Sequence, residues 1–120
     1  MLPRVARLRR RAEFERTYQQ GRRIRMATFT LYAYSRRDDE PTRIGIVAGR
    51  RFRTLVQRNR AKRRLRAACR ALWTQMAPGY DLVLITHEPA MDAPFKQIQQ
   101  ELREALQQLR LLKAEGGGAS

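Results

Sequence analysis

Apolar and polar residues alternate along residues 27–35, ATFTLYAYS. Phe29, Leu31 and Ala33 fall on one side of an extended chain, and the other side carries Thr28, Thr30, Tyr32 and Tyr34. This spacing predicts a strand with one buried face. Two tyrosines therefore lie on the face that the core does not cover.

Three further segments have strand character. Residues 22–26, RRIRM, predict a brief edge strand. Residues 43–49, RIGIVAG, predict a strand that forms an antiparallel hairpin with residues 27–35 across the polar connection RRDDEPT. Residues 80–86, YDLVLIT, are almost continuously apolar, which is typical of a strand buried on both faces. We expect a sheet of about four strands.

Helical spacing marks the segments near both ends of the chain. A short helix is predicted from about residue 10 to residue 20, with Phe14 and Tyr18 four apart on one face and Gly21 after its end. A last amphipathic helix is predicted from about residue 92 to residue 112. Its apolar stripe consists of Phe95, Ile98, Leu102, Ala105, Leu106 and Leu109.

The longest predicted helix begins at a capping box. Thr54 precedes Gln57 by three residues, and the helix is expected to run to about Met76 before Pro78 and Gly79 end it. At 100° per residue one arc of roughly 140° contains its apolar positions, namely Ala61, Leu65, Ala68, Cys69, Leu72, Trp73 and Met76. This face is wide enough to pack on a sheet.

The order of these segments, αβββαβα, predicts an α+β fold, an α/β sandwich with a mixed sheet. A chain of 120 residues has the size of one domain. We therefore expect residues 1–120 to form a single domain, with residues 1–8 and 114–120 as flexible tails.

Charge narrows the kind of partner. The chain has 26 basic and 11 acidic residues, a net charge of +15, which favours a polyanion: nucleic acid first, an anionic membrane surface second. No apolar run approaches the ~18 residues of a membrane span, and the start MLPRVARLRR lacks the apolar region of a secretory signal. With Cys69 as its one cysteine, the protein is expected to be cytoplasmic.

The long helix carries basic residues opposite its apolar face. Six of the nine residues in the segment 58–66, RNRAKRRLR, are Arg or Lys. Positions 58, 62, 66 and 70 are all basic at a spacing where like charges repel, and no acidic residue occurs between positions 44 and 80. An ordinary solvated helix face would intersperse acids, so this block favours contact with a polyanion.

Three more arginines precede the helix, whose free N–H groups also attract anions. We interpret the whole block as phosphate-binding, and we expect the helix to wall a groove whose floor is the tyrosine-bearing strand. The candidate RNA-binding residues are Arg50, Arg51, Arg53, Arg58, Asn59, Arg60, Lys62, Arg63, Arg64, Arg66 and Arg70.

Five segments resemble, in order, the bacterial ribonuclease P protein component: RLRRRAEFERTYQQGRR, FTLYAY, RIGIVAGRR, RNRAKRRLRAACR and YDLVLIT. The similarity spans about residues 7–110, and the Arg-Asn-Arg block is its most specific part. The resemblance implies a left-handed βαβ crossover and one protein bound to one ribonuclease P RNA. That RNA cleaves precursor tRNA and holds the Mg²⁺ ions that the reaction requires, so the resemblance implies no cofactor on the protein itself.

The resemblance also assigns a site for the single-stranded 5′ leader of precursor tRNA. The matching cleft positions are Phe14, Tyr18, Thr30 and Tyr32. Aromatic rings there could stack on unpaired bases of any sequence, although core packing alone would also place Phe14 and Tyr18 four residues apart. This chain departs from the family pattern at Arg53, where glycine is usual, and at His87, where arginine is common.

Chemistry carried by the protein itself has little support. Asp81, His87, Glu88 and Asp92 occur late in the chain, but a turn after a strand explains them better than a metal site. There is no Gly-rich phosphate loop, Ser/His/Asp set or zinc-ligand spacing. We predict no catalytic residue and no metal ligand.

Two other classes of protein remain as alternatives. A ribosomal or ribosome-assembly RNA-binding protein would explain the charge but not a tyrosine-bearing cleft. A helix-turn-helix DNA-binding protein is disfavoured by the predicted strand hairpin.

Overall fold

The computed structural model describes residues 6–113 of the chain. Its main elements are, in order, α1 (Arg11–Gln20), β1 (Arg22–Arg25), β2 (Phe29–Ser35), β3 (Arg43–Ala48), α2 (Leu55–Leu72), β4 (Tyr80–Thr86) and α3 (Phe95–Gln108). Short 3-10 helices, Trp73–Gln75 and Glu88–Met91, follow α2 and β4. The predicted order and the α+β class with a four-stranded mixed sheet are confirmed.

The strands lie in the order β1-β2-β4-β3. β2 is antiparallel to both β1 and β4, whereas β3 is parallel to β4. The prediction that β2 and β3 form a hairpin is wrong, because β4 lies between them. β4 is the most apolar strand and is covered on both faces over most of its length, so it takes a central position. The hairpin is instead formed by β1 and β2.

One face of the sheet packs against α2 and α3. Phe29 and Leu31 of β2 and Leu82 and Leu84 of β4 are almost completely buried there. The helices cover them with Leu65, Ala68, Cys69, Leu72, Ile98, Leu102, Ala105 and Leu106. Both predicted apolar stripes are therefore confirmed in their central parts, but Phe95 is 37% exposed and does not belong to the core.

The start of α2 is the predicted one. Thr54 Oγ1 accepts a hydrogen bond from the backbone N–H of Gln57 at 3.1 Å, while Gln57 Oε1 accepts one from the N–H of Arg53 at 2.9 Å. Arg53 is not among the non-glycine residues of the described chain that have positive φ. The turn before α2 therefore needs no glycine at this position.

The second face of the sheet is partly covered by α1, which an ion cluster ties to it. Asp81 of β4 has no exposed surface, and Arg16 of α1, Arg36 and Arg43 all donate hydrogen bonds to its carboxylate, at 2.6–3.1 Å. Arg43 also donates to Glu13 of α1 at 2.8 Å. Burial alone would raise the pKa of Asp81, but the hydrogen bonds from Arg43 and Arg36 outweigh it and hold the pKa below its usual value.

Residues 6–8 pack along the outer edge of β3. Ala6 and Leu8 are buried, and the N–H of Leu8 donates to the carbonyl of Ile44 at 3.0 Å. The prediction of a flexible arm is therefore wrong for residues 6–8, while residues 1–5 and the predicted tail 114–120 lie outside the described residues. Within residues 6–113, no helix is both long enough and apolar enough to cross a membrane.

Candidate nucleic-acid interface

A groove of about 580 Å³ lies on the sheet face that α1 covers only in part. Thr30, Tyr32 and Ile85 contribute to its floor. Cationic side chains approach from two directions, since its lining also includes Arg23 and Arg25 of β1 and Arg50 and Arg51 of the loop after β3. The groove therefore combines an aromatic and aliphatic floor with positively charged sides.

Strand register explains why this part of the sheet stays open. Tyr32 and Gly45 both pair with Val83, so these residues form one row across β2, β4 and β3. α1 crosses that row, where its side chains meet Tyr32 and Gly45. The next row contains Thr30 and Ile85 and forms the groove floor.

Phe14 and Tyr18 hold α1 at the border of the groove. The ring of Tyr18 contacts that of Tyr32 edge to face, with 5.1 Å between centroids. Phe14 lies over Gly45, where an added Cβ would come within 2.5 Å of its ring, so the glycine permits this close approach. Both side chains are half-buried. They thus pack α1 on the sheet while keeping part of each ring accessible.

The predicted leader residues occupy different places around the groove. Thr30 and Tyr32 line it, and Tyr18 adjoins it through Tyr32. Phe14 instead lines a smaller cavity of about 170 Å³ at the β3 edge, together with Arg66 of α2. The structure therefore brings three of the four predicted residues to one groove and places the fourth at its β3 side.

Thr30 is less accessible to a ligand than its position in the groove floor suggests. It is 4% exposed, and its hydroxyl is hydrogen-bonded to His87 Nε2 at 2.7 Å. Thr28, which was predicted on the same face, instead donates its N–H and hydroxyl to Glu101 of α3 at 3.0 and 2.7 Å. The alternation ends there because the chain bends between β1 and β2.

His87 belongs to the groove, although its sequence context indicated only a turn. It directly follows β4, and its N–H donates to the carbonyl of Thr28 at 2.9 Å. Burial, and secondarily the positive charge of Arg25, lower the pKa of His87. The imidazole is therefore neutral at neutral pH, unlike the arginine expected from the resemblance.

We expect the depressed pKa of His87 to make the fold less stable in mild acid. The folded state binds this proton less readily than the unfolded chain, whose histidine has a pKa of about 6.5. The free energy of unfolding should therefore fall as the pH decreases below about 6.5, and this contribution should be absent in His87→Gln. Urea unfolding between about pH 5.5 and 7.5 measures it.

A direct control is available because His87 is the one histidine of the chain. Its ring protons give a single imidazole NMR titration that needs no assignment. A midpoint above about 6.5, or identical pH dependence of stability in His87→Gln, would contradict the prediction.

α2 lies on the opposite face of the sheet from the groove, so the prediction that this helix walls the groove is wrong. Its apolar stripe must meet the apolar face of the sheet, and that requirement decides the side. The loop before α2 does line the groove through Arg50, Arg51 and Phe52. Arg66 reaches the β3 edge from the other side. The basic surface thus continues from the groove onto the helix.

The candidate RNA-binding residues on α2 differ in whether their side chains already form hydrogen bonds within the protein. Arg64 donates to the carbonyls of Ala90 and Ala93 at 2.8 and 2.6 Å, and Arg60 Nε donates to that of Met91 at 3.0 Å. These two arginines tie α2 to the connection between β4 and α3. Asn59 is exposed on the same helix.

The remaining basic residues of this region carry charge that the described chain does not neutralise. Within residues 6–113, no ion pair involves any Arg or Lys between positions 50 and 70. The set without such a partner includes Arg50, Arg51, Arg53, Arg58, Lys62, Arg63, Arg66 and Arg70. Such a surface favours binding of a polyanion.

Two groove residues, Arg23 and Arg25, were not among the predicted binding residues, although their strand was predicted. They pair with Tyr32 and Thr30 in the β1–β2 ladder, which places both side chains on the groove side. The spacing of two in RRIRM would have indicated a shared face. The identity of that face depends on pairing with β2, which the pattern does not specify.

Metal-binding clusters and the cysteine thiol are the two features that could carry chemistry on the protein itself. Among residues 6–113, no group of three or more His, Cys, Asp or Glu is arranged to hold a metal ion. Burial raises the pKa of the Cys69 thiol to about 12, so it remains protonated inside the core. The arginine-lined groove and the basic helix favour binding of an anionic chain.

Comparison with known proteins gives a consistent result. The family model Ribonuclease P matches residues 2–110. The ribonuclease P protein component of Symbiobacterium thermophilum is 39% identical over 92% of this chain and 96% of its own length. That of Chloroflexus aggregans is 44% identical over 91% of this chain and 81% of its own.

Solved structures of such proteins share the fold. The RNase P protein of Staphylococcus aureus superposes with a TM-score of 0.76 at 25% identity, covering 90% of this chain and 98% of that one. The RNase P protein of Thermotoga maritima gives 0.74 at 26% identity, covering 85% and 96%.

Proposed function

Because this chain belongs to the ribonuclease P protein family, we propose that its basic helix and its groove contact two different RNAs of one ribonucleoprotein. The chain is a protein component of ribonuclease P, the endoribonuclease that removes the 5′ leader from precursor tRNA with an RNA subunit as catalyst.

The exposed side of α2 and the loop before it contact the ribonuclease P RNA. Arg58 and Arg63 are exposed and have no acidic partner within residues 6–113. A folded RNA presents closely spaced phosphates that can neutralise such a row. Arg64 contributes to this surface indirectly, by fixing the β4–α3 connection against α2.

The groove binds the single-stranded 5′ leader. The observation that supports this most directly is the combination of an aromatic ring on the groove floor with arginines at its sides. Tyr32 offers a half-buried ring on a sheet face, and arginines stand on two sides of it. A flexible strand could lay its phosphates on the arginines and stack a base on the ring. Because stacking reads no sequence, such a groove suits leaders that differ between tRNAs.

Membership of the family supports three further proposals, which concern magnesium, stoichiometry and location. We propose that the RNA holds the Mg²⁺ ions of the reaction, that one protein binds one RNA, and that the complex works in the cytoplasm. On this proposal the protein contributes affinity and positioning, and no side chain of the chain takes part in bond cleavage.

Reconstitution tests this function. We expect the chain, mixed with a bacterial ribonuclease P RNA and precursor tRNA, to restore 5′ cleavage at a Mg²⁺ concentration too low for the RNA alone. An unrelated basic protein of similar net charge is the matched control, since nonspecific screening of phosphates would affect both samples equally. Failure of rescue, with tight binding to ribosomal RNA instead, would favour the ribosome-assembly alternative.

A further inference from the structure

The first turn of α2 exposes two aliphatic side chains side by side. Leu55 is 69% exposed and Val56 is 76% exposed. In the described part of the chain, Phe95 at 37% is the next most exposed large hydrophobic residue. Single exposed aliphatic side chains are common on protein surfaces, but an adjacent pair that is more than two-thirds exposed is a feature that needs a reason.

Local helix physics does not supply that reason. Thr54 caps the helix, and acidic side chains are the ones favoured at the positions that follow a cap, because they complement the helix dipole. Leu55 and Val56 occupy those positions instead. A hydrophobic staple would join the residue before the cap to the fourth helical residue, but these positions are Arg53 and Arg58. Val56 is also β-branched, which slightly disfavours a helix.

The surroundings of the pair restrict what could cover it. Arg53 and Arg58 flank it in sequence, both are exposed, and neither has an ion pair within residues 6–113. A net charge of +15 opposes contact with a second copy of the chain. The complementary partner carries dense negative charge and also presents apolar surface.

Unpaired RNA has both properties. Its phosphates can reach the flanking arginines while the face of an unstacked base covers the aliphatic side chains. A regular duplex would offer only its phosphates, because its base faces are stacked. The pair therefore indicates contact with a non-helical segment.

We propose that Leu55 and Val56 form an apolar docking site for unpaired nucleotides of the ribonuclease P RNA, next to the arginines that contact its phosphates. This site rests on the proposed function in one respect, namely that α2 faces that RNA. It adds a contact that charge does not supply and that salt does not screen.

A near-isosteric double variant, Leu55→Asn with Val56→Thr, tests the site. We expect roughly tenfold weaker binding to the ribonuclease P RNA, because apolar area is no longer removed from water. The slope of log affinity against log salt should stay unchanged, because no phosphate contact is lost. Filter binding or fluorescence titration at several salt concentrations gives both numbers.

Two controls separate this contact from charge and from general surface effects. Arg58→Ala with Arg63→Ala should weaken binding and also reduce the slope, by about 0.9 per duplex phosphate contact or about 0.7 per single-stranded one. Phe95→Ala, which removes an exposed apolar side chain from a different helix, should leave both numbers unchanged. Melting temperatures check that each variant folds, with Leu55→Ala alone as the milder substitution.

Each outcome has a defined meaning. Unchanged RNA affinity in the apolar variant, with weaker binding in the arginine variant, overturns the docking site and leaves the proposed function intact. Unchanged affinity in both variants overturns both. A change confined to self-association in sedimentation assigns the pair to a contact between copies and likewise overturns the proposal.

Discussion

Replacing Asp81 by Asn is expected to lower the free energy of unfolding by about 3–5 kcal/mol at neutral pH. The carboxylate is fully buried and accepts hydrogen bonds from Arg16, Arg36 and Arg43. The asparagine amide has no negative charge. Its two N–H groups would also face the N–H donors of the arginines, where the carboxylate had offered acceptors. Since the total free energy of unfolding of a domain of this size is about 5–15 kcal/mol, the variant should be marginally stable. Urea unfolding at fixed ionic strength measures the change.

The pH dependence of unfolding identifies the charge as the cause. The pKa of Asp81 is lower in the folded state than in an unfolded chain, where it is about 3.9. The stabilising contribution is therefore fully present above about pH 4 and is lost as the pH falls through the folded value. The Asn variant should lack this part of the acid transition.

A surface carboxylate provides the matched control for Asp81. Glu15→Gln removes a charge from an exposed pair with Arg11, 3.7 Å apart, and should leave the unfolding midpoint nearly unchanged. If Asp81→Asn were as stable as the parent protein, the cluster would not be what holds α1 on the sheet. The border of the groove, which depends on α1, would then need another explanation.

Replacing Tyr32 by Ala is expected to weaken binding of leader-bearing precursor tRNA about 5- to 150-fold, the equivalent of one stacked base at about 1–3 kcal/mol. Binding of mature tRNA, which has no leader, should change little. Tyr32→Phe keeps the ring and should keep most of the affinity. Equilibrium binding of both tRNAs to the reconstituted complex measures the selectivity.

Tyr34 is the matched control on the same strand and face. Its ring lies under the Arg16 guanidinium at 4.6 Å, beneath α1 and outside the groove. Tyr34→Ala removes an equal ring, so it should reduce stability without changing selectivity for the leader. If Tyr32→Ala lowered affinity for both tRNAs equally, the groove would not be the leader site.

Properties that depend on near neighbours were predictable from the sequence. The alternation around Phe29 and Leu31, the stripe of α2 and the cap at Thr54 all appear as predicted. These features follow from periodicities of two and 3.6 residues and from one local hydrogen bond. The excess of positive charge at positions 50–70 was equally predictable, because charged residues can be counted without knowing the fold.

Features that depend on long-range pairing were not predictable. Separate predictions for β2, β3 and β4 were correct, but the insertion of β4 between the other two depends on competition among all possible strand pairs. That order brings His87 beside Thr30 and aligns Gly45 with Tyr32 across the sheet. No short-range pattern contains this information.

The sequence alone determined the helices and strands, the apolar faces of β2, α2 and α3, and the polyanionic character of the partner, because each depends on local spacing or on summed charge. Only the tertiary structure decided which sheet face α1 and α2 cover, which arginines remain unpaired and where the open row of the sheet lies. The physical reason is that burial creates a free-energy preference for a face to be covered without specifying the element that covers it. Strand order, set by contacts between residues far apart in the chain, makes that choice.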